Sequence, residues 1–256
     1  MSEEIKEDKM LLAGVEDKFQ QCCQQYRLTH TGFLDLRQRS LVEQYCRQLR
    51  PQDQDVRCLF YGGYPDAERT MAVFLPDYAS EEDVPLTVIR AKAPSAGRKL
   101  THRDYLGSLT GLGLKREMIG DILATDQGAD IIILEDIREF ILMNYSQAGR
   151  ASLQVEAVPL SDLQIPEVKT VLVKDTVASL RLDNVIASAF SMSRASAAEA
   201  IRRGIVFVNS MQSEKVDMQI KEGDKLVLRG KGKAYLKEVG GQTRKDRTFI
   251  TIERYV

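Results

Sequence analysis

Apolar residues recur along this chain in two rhythms, one suited to helices and the other to strands. In the first fifty residues Val15, Phe19, Cys22 and Tyr26 fall at helical spacing, and Leu41, Val42, Tyr45, Cys46 and Leu49 make a second stripe, so residues 10–50 are read as two helices. Past Pro51, the apolar runs 56–61 and 70–75 flank Gly62-Gly63-Tyr64-Pro65-Asp66, a composition that predicts a hairpin. The acidic, proline-bracketed stretch 76–85 predicts an exposed connection.

Between residues 86 and 160 the rhythm alternates. The pattern predicts a strand at 86–92, helices at 102–109 and 115–125, a strand at 130–134, a helix at 136–145 and a strand at 153–158. Such alternation places helices on one face of a sheet, as in a small RNA-recognition-motif-like domain. The strand residues Leu86-Thr87-Val88-Ile89 and Ile131-Ile132-Ile133-Leu134, however, lack the aromatic side chains that stack on bases. Gly107-Ser108-Leu109-Thr110-Gly111-Leu112-Gly113-Leu114 leads into a basic helix start, which makes Lys115 and Arg116 a secondary phosphate contact. The plainer alternative is a helix-helix turn with two solvated cations, since the glycine spacing matches no phosphate-loop fingerprint.

The C-terminal third is the most sharply patterned. Leu182, Val185, Ile186 and Ala189 lie at i, i+3, i+4 and i+7 of a short helix over 180–190. Ser193 is placed to cap a second helix over 194–203, and Gly204 suits a left-handed end to it. Strands follow at 205–208, 216–220 and 225–228, with turns at Asn209-Ser210 and Gly223-Asp224, and then a last hairpin over 235–256 whose tip, 240–247, is basic. The joints Arg181-Leu182-Asp183, Ser193-Arg194, Arg203-Gly204, Val208-Asn209, Gly223-Asp224 and Leu228-Arg229-Gly230-Lys231-Gly232-Lys233 resemble those of the ribosomal protein S-four RNA-binding domain, the alpha-L motif. Ser210 departs from that family, which usually has glycine after the asparagine.

Charge sharpens the picture. Residues 175–256 hold 15 Lys and Arg against 10 Asp and Glu, whereas residues 1–174 hold 21 against 27. A basic surplus confined to one module points to a polyanion bound there, because each phosphate neutralised releases counterions. Arg181, Ser193, Arg194, Arg202, Arg203, Asn209, Lys215, Arg229, Lys231 and Lys233 are the candidate RNA contacts, with Arg244, Lys245 and Arg247 at the hairpin tip. Guanidinium forks at these positions can grip phosphate oxygens two at a time. The competing reading pairs Arg203 with Glu199, and Arg181 with Asp183 or Asp224, which would neutralise part of the patch. Arg194→Ala combined with Arg203→Ala is expected to weaken RNA binding and leave thermal stability nearly unchanged.

Other chemistries find little support. Four cysteines without a C-x-x-C pair, and only two histidines, predict reduced thiols and no metal site. No apolar run approaches the roughly 18 residues of a membrane span, and residues 1–9 are polar, so a cytoplasmic protein is expected, with no cofactor and no membrane partner.

The S-four-type module, together with Phe60-Tyr61-Gly62-Gly63-Tyr64-Pro65-Asp66-Ala67-Glu68-Arg69 and Leu112-Gly113-Leu114-Lys115-Arg116-Glu117-Met118-Ile119-Gly120-Asp121-Ile122, is similar to the bacterial YlmH family over essentially the whole chain. That resemblance implies a non-enzymatic factor that docks on ribosomal RNA and transfer RNA of stalled large subunits, in ribosome quality control. It assigns no oligomeric state. The fold expected is α+β in three small domains: residues 1–80, helical with a hairpin; residues 81–165, RNA-recognition-motif-like; and residues 175–256, an alpha-L helix pair packed on a β-hairpin sheet. The rival readings are an RNA-modifying enzyme that uses the module for delivery and a protein-interaction adaptor, such as one linked to cell division. Against a pseudouridine synthase, Gly149-Arg150-Ala151-Ser152 lacks the catalytic acid; against a methyltransferase, Lys92-Ala93-Pro94-Ser95-Ala96-Gly97 is a poor cofactor loop.

Overall fold

A computed structural model describes residues 3–49, 56–93, 99–166 and 169–255. Pro51, and residues 94–97 of the stretch weighed above as a cofactor loop, lie outside the described residues. The chain is α+β and divides into two compact units, Met1–Pro166 and Glu167–Val256.

The first unit opens with α1 (Glu3–Gln25), β1 (Thr29–His30) and α2 (Leu36–Cys46). Asp35 accepts from Gln38 N at 2.8 Å and the Gln38 side chain accepts in return from Asp35 N at 3.0 Å, so both orphan donors at the start of α2 are satisfied. β2 (Arg57–Tyr61) and β3 (Met71–Leu75) then complete an antiparallel sheet of order β1-β3-β2. Every residue of β3 is buried, because the strand is covered on both faces. Ala72 and Phe74 meet Val15, Phe19 and Val42 of the two helices, while Met71, Val73 and Leu75 point the other way.

What they point at is a second sheet. It is built from β4 (Leu86–Lys92), β5 (Ile119–Ala124) and β6 (Gly128–Leu134), which are interleaved with α3 (His102–Gly111) and α4 (Arg138–Asn144). After the short pair β7 (Gln147–Ala148) and β8 (Ala151–Ser152) comes β9 (Gln154–Val158). Pairing is antiparallel throughout in the order β5-β6-β4-β9, the split βαβ layout of ferredoxin-like domains. Ile89, Ala91, Ile131 and Ile133 face the helices, whereas Val88 and Ile132 face Phe33, Met71, Val73 and Leu75. The sequence boundary expected near residue 80 therefore runs through a shared core within one compact unit.

The helix expected over 115–125 does not form. Residues Arg116–Met118 make one 3-10 turn, and Ile119–Ala124 is the strand β5. Four consecutive residues of β5 are buried, so its pattern carries no period and could not separate helix from strand. Gly120 settles it locally: a Cβ there would come within 2.7 Å of the Phe33 ring, a close approach made across a sheet.

In the second unit β10 (Thr170–Val177) precedes α5 (Leu182–Ala189) and α6 (Arg194–Arg202). β11 (Val206–Val208), β12 (Met211–Gln212), β13 (Lys225–Leu228), β14 (Gly232–Gln242) and β15 (Thr248–Tyr255) follow, giving a six-stranded sheet of order β10-β15-β14-β13-β11-β12. Leu182, Val185, Ile186, Ala197 and Ile201 of the helices pack on Leu226, Leu228, Leu236 and Ile252 of the sheet. β10 was not anticipated; its largely exposed alternation gives a weak signal. The strand expected at 216–220 is instead a loop with one isolated bridge, from Gln219 to Arg181 at the start of α5. Its carbonyls are engaged elsewhere: Val216 O accepts from Asp183 N at 3.2 Å and Met218 O from Leu182 N at 2.8 Å, satisfying N–H groups that the first turn of α5 leaves open.

Candidate nucleic-acid interface

The two helices of the second unit are joined at their N-terminal ends by one carboxylate. Asp183, in the first turn of α5, has a side chain only 3% exposed, and it accepts from Arg194 Nε at 2.7 Å and from Arg181 Nε at 3.2 Å. Asn184 N donates to the same group at 3.0 Å. Burial raises the pKa of Asp183, but the Arg194 and Arg181 hydrogen bonds outweigh that effect and hold it below the usual carboxylate value. The arginines themselves remain 35% and 56% exposed, so each is pinned by an inner edge and presents an outer one to solvent. Two guanidiniums against this one buried carboxylate leave one positive charge of the cluster unmatched, while the exposed Glu214 and Asp217 lie in the loop that packs on the same helix end.

Further cations are set around it by the backbone. The loop contacts to α5 carry Lys215 to the Arg181 end of the pair. Ser193 caps α6, accepting from Ser196 N at 3.0 Å, and is exposed. At the opposite end, Arg202 and Arg203 are exposed, roughly 12 Å along the axis from Arg194. The anticipated Arg203–Glu199 ion pair is not made: the backbone N–H of Arg203 donates to Glu199 O at 2.9 Å, and the side chain has no carboxylate partner among the described residues. Arg229 N donates to Ile205 O at 2.9 Å, which brings Arg229 and the Lys231 turn to this same end.

Three sequence candidates lie elsewhere. Asn209, an exposed turn residue, engages its side chain with neighbours of its own chain, donating to Asp224 at 2.8 Å and accepting from Lys225 N at 2.9 Å. Lys233 sits 4.5 Å from the centroid of the Tyr255 ring on the far face of the sheet. Arg247 turns back to donate to Thr176 Oγ1 at 3.0 Å and to the Thr176 carbonyl, leaving Arg244 and Lys245 to form the hairpin tip. The pattern therefore resolves into two clusters on the helix pair, a tip, and one lysine on another face. The Arg181–Asp183 pair is the one the competing reading anticipated, whereas Arg194's share in it was missed because Arg194, eleven positions away, becomes a neighbour of Asp183 only when the helices pair.

In the first unit, the two strings shared with the YlmH pattern meet. The buried carboxylate of Asp121 accepts from Tyr64 Oη at 2.8 Å, Glu68 N at 2.7 Å and Arg69 N at 3.1 Å. Arg69 in turn donates to the carbonyls of Ile119, Phe33 and Arg116. Arg116, expected at a phosphate, instead turns inward to Ile119 O at 2.6 Å and Gly120 O at 3.1 Å. Burial, with Arg69 nearby, lowers the Arg116 pKa to about 10, which still leaves it charged at neutral pH. Lys115 is exposed beside Glu117 at 3.7 Å, and the basic helix start imagined for it is a single 3-10 turn.

Residues 79–162 match the family model described as "Putative RNA-binding domain in YlmH". A relative from Bacillus subtilis (strain 168), named ribosome-associated protein quality control protein P2, is 36% identical over 233 residues, spanning 90% of this chain and 89% of that protein. The chain belongs to the YlmH family. A solved structure titled cell division protein ylmH from Streptococcus pneumoniae is similar over 64% of this chain and 97% of that one, with 20% identity and a TM-score of 0.46. In this YlmH-family chain, the matched residues 79–162 are the split βαβ domain, whose helix-free face is occupied by the N-terminal sheet. Among the described residues, no group of three or more His, Cys, Asp or Glu could hold a metal ion, and no helix is long and apolar enough to cross a membrane.

Proposed function

We propose that this chain is a non-enzymatic, cytoplasmic RNA-binding protein of the ribosome. It docks its C-terminal unit on structured ribosomal RNA and transfer RNA of stalled large subunits and supports quality control of the nascent chain. The observation that carries this reading is the shared Asp183 carboxylate, which fixes Arg181 and Arg194 as neighbouring forks with their outer edges open. Pre-positioned guanidiniums bind phosphate without first losing side-chain freedom, and they suit pairs of oxygens. Arg202, Arg203, Arg229 and Lys231 extend the contact to the far end of α6. The name of the Bacillus subtilis relative supports placing that RNA in the ribosome.

The test is co-sedimentation with purified large subunits across a salt series. The apparent affinity should fall by on the order of 0.7 log units per log unit of salt for each phosphate neutralised. Arg202→Ala combined with Arg203→Ala should weaken binding and flatten that slope, with urea stability unchanged, since neither side chain braces the fold. Arg194→Ala is a poorer probe than the sequence suggests, because it strips a partner from a buried carboxylate. A flat salt dependence, or a double variant that sediments like the parent, would overturn the proposal.

A further inference from the structure

The sheet of the C-terminal unit has a second face, turned away from α5 and α6. Strand alternation sends Ala234, Leu236, Leu226 and Ile252 into the core, and so sends Lys233, Tyr235, Lys225 and Tyr255 to the other side. Tyr235 on β14 and Tyr255 on β15 stand as diagonal neighbours with ring centroids 5.7 Å apart and planes tilted 45°. Lys233 Nζ lies 4.5 Å from the Tyr255 centroid and Lys225 Nζ 5.9 Å from that of Tyr235. Both tyrosines are half-buried. Lys237, 3.7 Å from Glu253, and Lys174, opposite Thr251 in the register, add positive charge to the same surface. Glu238 and Glu253 bring carboxylates to it.

We infer that this face binds an unpaired stretch of RNA, with bases stacked on Tyr235 and Tyr255 and the backbone held by Lys225 and Lys233. Two aromatic rings side by side on adjacent antiparallel strands, flanked by flexible cations, form a base-stacking platform of the kind sheet-type RNA binders use. Each lysine has a favourable place in either state. Without RNA its ammonium rests over a ring, a weak contact at an exposed site, and when a base takes the ring the long stem swings the charge to the adjacent phosphate. Phosphate spacing and base planes come together only in a single strand; a duplex buries its base faces and offers this surface its backbone alone. The inference rests on the RNA-binding reading above but uses a different face and a different form of RNA.

The chain contains no tryptophan, so Tyr255→Trp creates a single indole at the platform, which can be excited at wavelengths where the tyrosines do not absorb. Titrating that variant with an octamer of uridylate should quench its emission, because a stacked base lies against the indole. Tyr235→Leu with Tyr255→Leu, which keeps apolar bulk, should weaken octamer affinity on the order of fivefold to a hundredfold. It should leave affinity for a duplex hairpin within twofold, and the reverse pattern is expected of Arg202→Ala with Arg203→Ala. Unquenched emission, or octamer affinity unaltered by the double leucine variant, would overturn the platform while duplex binding persisted. If the parent protein bound neither RNA, the RNA-binding reading itself would fail.

Discussion

Replacing Asp183 by asparagine sets charge against geometry. The substitution is nearly isosteric, keeps one acceptor oxygen and removes the carboxylate that Arg181 and Arg194 share. A hydrogen bond to a charged group contributes roughly 1.5–3 kcal/mol, and two such arginine contacts are weakened here. Because the guanidiniums are 35% and 56% exposed, water recovers part of that loss, and the asparagine carbonyl retains one bond. A destabilisation of about 2 kcal/mol is therefore expected, below the roughly 3–5 kcal/mol seen when a fully buried partner is stranded. The effect on RNA binding separates two accounts. If only net charge mattered, removing an acid would tighten binding and steepen its salt dependence. If the carboxylate acts by holding the two forks in register, binding weakens despite the extra positive charge, by on the order of tenfold for about 1.4 kcal/mol of lost positioning. Urea unfolding and a salt series with large subunits, both on variant protein shown to be folded, would measure the two effects. Equal or tighter binding by Asp183→Asn would refute the positioning argument.

Two further outcomes follow from the same unit. The turn between β11 and β12 has φ of +50° at Asn209 and +68° at Ser210, a two-residue connection of the type that asks for left-handed backbone at both positions. Ser210→Gly should relieve strain and raise stability by about 1 kcal/mol in urea unfolding, whereas Ser210→Val should lower it. The depressed pKa of Asp183 gives a pH signature. Its contribution is present above the unfolded value of 3.8 and is lost as pH falls through the lower folded value, so the urea midpoint should drop between pH 5 and pH 3. That drop should be smaller in Asp183→Asn, and an identical drop would show that other groups control the acid limb.

The C-terminal fold was legible because several independent signals agreed there: the stripe through Leu182, Val185, Ile186 and Ala189, the Ser193 cap, and Gly204 at φ +66°. Each marks a joint that local chemistry alone requires. Misreadings arose where tertiary demand overrode local pattern. The segment around Val216 and Met218 has strand-like composition, yet its carbonyls are drawn to the open N–H groups of α5. Residues 119–122 are buried on both sides, Ile119 and Ile122 toward the helices, Gly120 against Phe33 and Asp121 in its polar joint, which removes the period that a sequence reading needs. Among the candidate contacts, residue type was a fair guide to positive charge but not to direction. Arg116 and Arg247 satisfy backbone carbonyls, and Asn209 closes a turn; each is fixed by a neighbour that the local pattern does not reveal.

The covered sheet in the first unit limits how residues 79–162 can meet RNA. RNA-recognition motifs present the strand face opposite their helices, and here that face carries Val88 and Ile132, both fully buried under Phe33, Met71, Val73 and Leu75. Exposing an apolar side chain of this size costs roughly 1.5–3 kcal/mol, so freeing even three of the six costs on the order of 5 kcal/mol. At about 1.4 kcal/mol per factor of ten, the open form would be populated less than once in a thousand molecules, and its bare aliphatic strands would still offer no ring for a base to stack on. RNA contact by this domain must then come from its edges or helices, and the polar joint of Asp121, Tyr64 and Arg69 acts as the latch that keeps the face shut. Val88→Cys makes this measurable by peptide-resolved alkylation. The new thiol should react at least about a thousandfold more slowly in the native protein than in urea, and at the same rate with or without saturating RNA. Labelling accelerated by RNA would mean that the sheet opens to receive it, and the argument from burial would be wrong.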